Sequence, residues 1–100
     1  MTNDELIIYE RRNDMSKLLY KYLKWLDELG SKEQVRQKFI QEEIPYELYS
    51  RSEQSVAEQG LISGAIETAS GYFVNEDASV TGEGLRFMIS HQALNDKWIN

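Results

Sequence analysis

Few residues in this sequence could carry out acid–base, metal or phosphate chemistry. His91 is the only histidine and the chain has no cysteine, so a transition-metal site would rest on one imidazole and carboxylates. Glu42, Glu43 and Glu47 are close in sequence, but adjacent glutamates of a helix point apart, which favours a solvated acidic face over a catalytic or cation-binding cluster. Gly82-Glu83-Gly84 is too short for a phosphate-binding loop and lacks its lysine.

These observations predict a protein that is not an enzyme and uses no metal or cofactor. His91 is then expected to be a surface or helix-capping residue near the end of the last helix.

Ser50, Arg51 and Gln54 are the residues best suited to reading DNA bases. They fall on the outward face of an expected helix from Pro45 to Gln59, and arginine and glutamine are among the side chains that bond to base edges. The same face carries Glu47 and Glu58, with Glu53 close by, and these carboxylates would approach the phosphates of a bound duplex. The residues expected to face the interior are Leu48, Tyr49, Ser52 and Val56.

Acidic residues dominate the second part of the chain. Residues 41–100 hold three Lys/Arg and ten Asp/Glu, whereas residues 1–40 hold eight and seven, and the whole chain has a net charge of −6. Residues 61–80 contain no lysine or arginine. This pattern disfavours docking of the third helix and the hairpin onto DNA, although a dimer could approach DNA through other surfaces, and it supports binding of a basic protein as the alternative. The candidate protein-binding residues are Glu47, Glu53, Glu58, Glu67, Glu76 and Asp77.

A basic ridge is expected on the first helix. Lys17, Lys21 and Lys24 follow i, i+4, i+7 spacing and lie just after Arg11 and Arg12. The ridge is either an ordinary solvated face or a surface that contacts phosphates or an acidic partner.

The two ends of the chain carry apolar residues outside the expected core elements. Ile7, Ile8 and Tyr9 stand in the N-terminal extension, residues 1–13, and Trp98 stands in a C-terminal tail, residues 95–100. These segments either fold back onto the domain or form an exposed apolar patch, for which a symmetric homodimer is the simplest partner.

Helical spacing and capping residues define the first part of the fold. One apolar stripe predicts a helix from Asn13 or Asp14 that stops at Gly30. Ser31 and Gln34 fit a capping box for a second helix with Val35, Phe39 and Ile40 inside and Ile44 closing it. Pro45 is placed to begin the third helix, which ends at Gly60. The residues of the first stripe are Met15, Leu18, Leu19, Tyr22, Leu23, Leu26 and Leu29.

After Gly60 the pattern becomes extended and predicts a hairpin. Leu61, Ile62 and Ile66 favour one strand, Ala69-Ser70-Gly71 a turn, and Tyr72-Phe73-Val74 a second strand. A last helix is expected to begin at the N-cap Thr81 and to end before Asn95. Its expected inward residues are Leu85, Met88 and Ile89, with Phe87 nearby.

Three helices, a hairpin and a helix form the element order of a winged helix-turn-helix domain, an α+β fold. The segments Val56-Ala57-Glu58-Gln59-Gly60-Leu61-Ile62 and Val80-Thr81-Gly82-Glu83-Gly84-Leu85-Arg86-Phe87-Met88 resemble those of the YjcQ-type family of small bacterial and prophage winged-helix proteins. The resemblance spans roughly residues 14–91. It implies a regulatory role and structural roles for Gly60 as a turn, Thr81 as a cap and Gly84 as a site of close packing.

The sequence therefore predicts one winged-helix domain over residues 1–100. Its longest apolar run is four residues, Leu6 to Tyr9, where roughly 20 are needed to span a bilayer, and its N-terminus is acidic, so we expect a cytoplasmic protein with no membrane partner. Two functions stay open. One is a transcriptional regulator that acts on DNA directly or through a partner. The other is an acidic module that binds a basic host protein, as a phage-encoded DNA mimic of the anti-restriction or anti-CRISPR kind would do.

Overall fold

The computed structural model describes residues 14–92, and this part of the chain is an α+β arrangement of four helices and one antiparallel hairpin. The order of the elements agrees with the order expected from the sequence. The elements are α1 (Asp14–Leu29), α2 (Lys32–Gln41), α3 (Tyr46–Glu58), β1 (Ala65–Thr68), β2 (Gly71–Val74) and α4 (Gly82–Ser90).

Local sequence sets the boundaries between the helices. Gly30 adopts a φ of +84°, a conformation that glycine tolerates best, and it ends α1 as predicted. The side chain of Ser31 then caps α2 by accepting a hydrogen bond from the backbone N–H of Gln34 at 3.3 Å. Pro45 precedes the first turn of α3, where the N–H that proline lacks would have no helical partner.

The core lies where α1 packs against the other three helices. Tyr22, Leu23 and Leu26 of α1 are fully enclosed with Phe39 of α2 and Leu48 of α3. The ring of Phe39 meets those of Tyr22, Trp25 and Tyr49 with centroids 5.3 to 6.2 Å apart. The predicted inward faces of α1 and α3 are confirmed, with the exception of Leu29, which is exposed at the last residue of α1.

Three other apolar residues do not face the core as predicted. Ile40 is exposed because it is displaced by about 100° around the helix from the Val35–Phe39 face. Leu85 and Ile89 lie one helical turn apart on α4 and are 45% and 68% exposed. The face of α4 that does pack on the core carries Gly84, Phe87 and Met88.

The hairpin is shorter than its sequence pattern suggests. β1 and β2 pair in register from Ala65 with Val74 to Thr68 with Gly71, and the turn between them is at Ala69-Ser70. Leu61 and Ile62 precede β1 and are buried in the core, where Ile62 forms an isolated bridge with Val80. After β2, the chain thus runs back beside Ile62, just before β1 in sequence, and α4 then begins.

Thr81 and Gly84 fix the start of α4. The Thr81 hydroxyl accepts from the Gly84 N–H at 3.1 Å and donates to the carbonyl of Gly60 at 2.7 Å, which confirms the predicted cap. A Cβ atom at Gly84 would overlap the Leu61 carbonyl oxygen. The close packing expected at Gly84 is therefore present.

Candidate functional site

Gln54 does not face solvent as a base-reading residue would. Its side-chain Nε2 donates to the carbonyl of Tyr72 at 2.8 Å, and its Oε1 accepts from the Tyr72 N–H at 2.7 Å. The amide thus joins α3 to the backbone of β2. Because both ends of the amide are engaged, Gln54 is not available to a base edge in this conformation.

The other two members of the predicted DNA-reading set differ in exposure. Ser50 is half-buried and Arg51 is exposed. Of the three residues, Arg51 is therefore the one that is exposed on α3.

The predicted basic ridge is interrupted at its centre. Lys21 is buried, and its Nζ lies 2.9 Å from Oε1 of Glu42 and 4.8 Å from the ring centroid of Trp25. Burial lowers the pKa of Lys21, and the bond to Glu42 opposes that shift. Lys17 and Lys24 are half-buried. The prediction of a continuous solvated ridge is therefore wrong at Lys21, which joins α1 to the end of α2.

Glu53 also has a structural position that was not predicted. It accepts hydrogen bonds from the hydroxyl groups of Tyr22 at 2.9 Å and Tyr49 at 2.8 Å. Burial, together with the Glu53 carboxylate, raises the pKa of both phenols above the ordinary value for tyrosine. The carboxylate is thus part of the packing between α1 and α3.

The remaining predicted acidic residues are all exposed, and we call them the acidic surface. Two are on α3, one is on β1, and two are in the turn after β2. That turn is held by the bonds Asn75 N–H to Gly64 O and Ala78 N–H to Asn75 O, at 2.8 and 3.1 Å. The acidic surface consists of Glu47, Glu58, Glu67, Glu76 and Asp77.

Three further cationic side chains, those of Arg36, Arg86 and Lys32, contact an aromatic ring or a carboxylate. The Arg36 guanidinium lies 4.9 and 5.1 Å from the ring centroids of Tyr46 and Tyr49, and Arg86 is 2.6 Å from Glu83. Lys32 places its Nζ 4.8 Å from the ring centroid of Phe73. Within residues 14–92, these three cations therefore lie against side chains on three different parts of the domain.

An apolar pair on the hairpin was not anticipated. Ile66 of β1 and Phe73 of β2 are directly opposite each other and are 54% and 56% exposed. The sequence signal was the alternation within the two strands, because Ala65 and Val74, their neighbours on the opposite face, pack towards the core.

His91 caps the end of α4, in agreement with the prediction. Its Nδ1 is 2.8 Å from the carbonyl oxygen of Phe87, and its ring stacks on that of Phe87 with centroids 4.0 Å apart. Among residues 14–92, no three histidine, aspartate or glutamate side chains are grouped so that they could hold a metal ion.

The candidate dimer contacts Ile7, Ile8, Tyr9 and Trp98 lie outside the described residues. No helix within residues 14–92 has the length and apolarity to cross a membrane.

No family model, curated protein or solved structure matches the chain. The YjcQ-type resemblance stays a prediction.

Proposed function

We propose that this protein is a non-enzymatic binding module that uses its acidic surface to engage a basic surface of a partner protein. The observation that carries the proposal is the contrast on α3 and the hairpin. Gln54, the glutamine expected to read bases, is bonded to the Tyr72 backbone, whereas Glu47, Glu58, Glu67, Glu76 and Asp77 remain exposed.

The arrangement of elements supports a winged-helix assignment. Three helices precede a two-stranded hairpin, and Gln54 joins the third helix to that hairpin. In winged-helix proteins that bind DNA, the third helix and the hairpin face the duplex. Here the same two elements and the turn after β2 carry the acidic surface, which would repel phosphates and gain little from counterion release.

A surface with this charge is suited to a protein that itself binds nucleic acid through a basic groove. Carboxylates held on a rigid fold can occupy the positions that phosphates would take and so exclude DNA from the groove. Together with the bacterial or prophage resemblance, this supports the role of an inhibitor of a host nucleic-acid enzyme.

Direct DNA binding by a regulator is the second candidate, and the exposure of Arg51 on α3 favours it. Titration of duplex DNA over a salt series, with Arg51→Ala as the variant, tests this candidate. A regulator would show salt-sensitive binding that Arg51→Ala weakens by roughly 1–3 kcal/mol.

The primary proposal is tested by inhibition of purified restriction and CRISPR nucleases on a duplex substrate. Reversal of two adjacent exposed carboxylates, Glu76→Lys with Asp77→Lys, should abolish inhibition. The matched control reverses the exposed pair Asp27 and Glu28 of α1, changes the net charge equally, and should retain inhibition. Equal loss in both double variants, or DNA binding that depends on Arg51 without inhibition, would reject the proposal.

A further inference from the structure

The outer edge of β1 has no neighbouring strand within residues 14–92. Tyr72 directs both its N–H and its C=O to Gln54, so the opposite residue, Glu67, belongs to a pair that does not share ladder hydrogen bonds. The N–H and C=O of Glu67 therefore point away from β2. At the other end of the hairpin, Asn75 donates its N–H to the Gly64 carbonyl, so these two residues form a hydrogen-bonded pair. The adjacent pair, Ala65 and Val74, is therefore a pair without ladder hydrogen bonds, and the N–H and C=O of Ala65 also point away from β2.

The two edges of the hairpin are treated differently. The Gln54 amide occupies the edge of β2 as a neighbouring strand would. Exposed edges in other proteins are commonly protected by lysine, proline, a bulge or a charge on a short strand. β1, with the four-residue sequence Ala-Ile-Glu-Thr, has no lysine, proline or bulge, and its one charge is the Glu67 carboxylate, which repels another acidic strand and attracts a basic one. The edge of β1 is thus a template for pairing with an extended chain.

The side chains beside this edge differ between its two faces. On one face, Ile66 and Phe73 form an exposed apolar pair, and the Lys32 Nζ lies 4.8 Å from the Phe73 ring centroid. Glu67 is on the opposite face and is also exposed. An added strand would therefore place alternate side chains against apolar carbon and against a carboxylate.

We propose that the outer edge of β1 binds an extended segment of a partner protein in which apolar and basic residues alternate. Backbone hydrogen bonds to Ala65 and Glu67 supply the attachment, and the Ile66–Phe73 pair and Glu67 select the two sets of side chains. This inference rests on the proposed function, because it specifies how part of a basic partner would be held.

Charge decides between a partner segment and a second copy of this chain. Residues 61–80 contain no lysine or arginine, and Glu67 lies in β1 itself. Two copies paired through β1 would bring their Glu67 carboxylates close to each other, and each chain carries a net charge of −6. A basic segment removes this repulsion.

The test uses a fluorescein-labelled ten-residue peptide that alternates valine and lysine, with binding followed by anisotropy. Glu67→Pro removes the outward N–H and leaves the hydrogen-bonded pairs of the hairpin intact, because that N–H does not bond to β2. Glu67→Thr is the matched control, since it removes the same charge and keeps the N–H. We expect the proline variant to bind at least ~10-fold more weakly than the threonine variant.

A second measurement leaves the protein unchanged. In the bound state, hydrogen exchange of the Glu67 amide should slow, and a peptide N-methylated at alternate residues should not bind. Equal binding of the methylated peptide, equal loss in both Glu67 variants, or no binding of the parent peptide at millimolar concentration would overturn the inference. So would a dimer in solution that Glu67→Pro dissociates.

These outcomes are separable from failure of the proposed function. Nuclease inhibition that depends on Glu76 and Asp77 but is unchanged by Glu67→Pro would retain the acidic surface and reject strand addition. If neither Glu67→Pro nor the double reversal at Glu76 and Asp77 reduced nuclease inhibition, the acidic surface itself would be rejected.

Discussion

The three-helix bundle of α1–α3 and the β1–β2 hairpin differ in how completely they bury their apolar groups and pair their polar ones. In the bundle, Phe39 is fully enclosed by aromatic and aliphatic side chains, and the Tyr22 and Tyr49 hydroxyls share Glu53. On the hairpin, Phe73 is more than half exposed and β1 has an edge without a neighbour in the described chain. The comparison indicates that the bundle supplies the enclosed core, whereas the hairpin presents apolar and polar groups at the surface.

The largest expected effect comes from truncating the same residue type in the two regions. Phe39→Ala should lower the free energy of unfolding by about 3–5 kcal/mol, because it leaves a cavity among packed rings. Phe73→Ala should change it by less than about 1 kcal/mol, since it removes an exposed ring and its contact with Lys32. Urea unfolding of both variants measures the difference, and similar losses would show that the hairpin contributes to the core.

A smaller effect is expected at alkaline pH and also originates in the bundle. The raised pKa of Tyr22 means that the folded protein holds the phenolic proton more tightly than the unfolded chain does. The contribution of Tyr22 to the free energy of unfolding should be fully present below about pH 10. Above that pH the free energy of unfolding should fall by up to about 1.4 kcal/mol per pH unit on account of this residue.

Urea unfolding from pH 7 to pH 11 checks this pH dependence. Tyr22→Phe should be less stable at pH 7 but should show a shallower decline. An unchanged slope would mean that Tyr22 does not retain its proton in the folded state.

An effect of similar size concerns the connection between the two regions. Gln54→Ala removes both bonds to Tyr72 and should cost about 1–2 kcal/mol, with faster hydrogen exchange at the Tyr72 amide. Gln59, at the end of α3, bonds to Ser55 of α3 and not to the hairpin. Gln59→Ala is therefore the control and should leave hydrogen exchange at the Tyr72 amide unchanged. If the two variants behave alike, Gln54 does not hold the hairpin.

The parts of the fold that were predicted depend on neighbours in sequence. Ser31 and Thr81 cap helices by bonds to residues three positions later, and Gly30 ends a helix through its own backbone conformation. The α1 stripe was predictable because helical spacing alone aligns Leu18, Tyr22 and Leu26.

The parts that were not predicted depend on which element covers which face. The spacing of Lys21 correctly places it on a helix, one turn before Trp25, but nothing local shows that Glu42 lies against it. The sequence places Gln54 on an outward face for the same reason, because its partner Tyr72 is distant in sequence. One partner of Glu53, Tyr49, is a helical turn away, but the other, Tyr22, is on a different helix. Leu85 and Ile89 are apolar, yet α4 turns a different stripe towards the core.

The way Gln54 holds the hairpin bears on how this protein can evolve. The amide bonds to the main chain of Tyr72, so the attachment places no demand on the side chain at that position or on those of β1. Substitutions that alter the shape or charge of the hairpin surface can therefore accumulate while the hairpin keeps its position on α3. If the hairpin binds a partner as proposed, its surface can change with that partner while the fold stays the same.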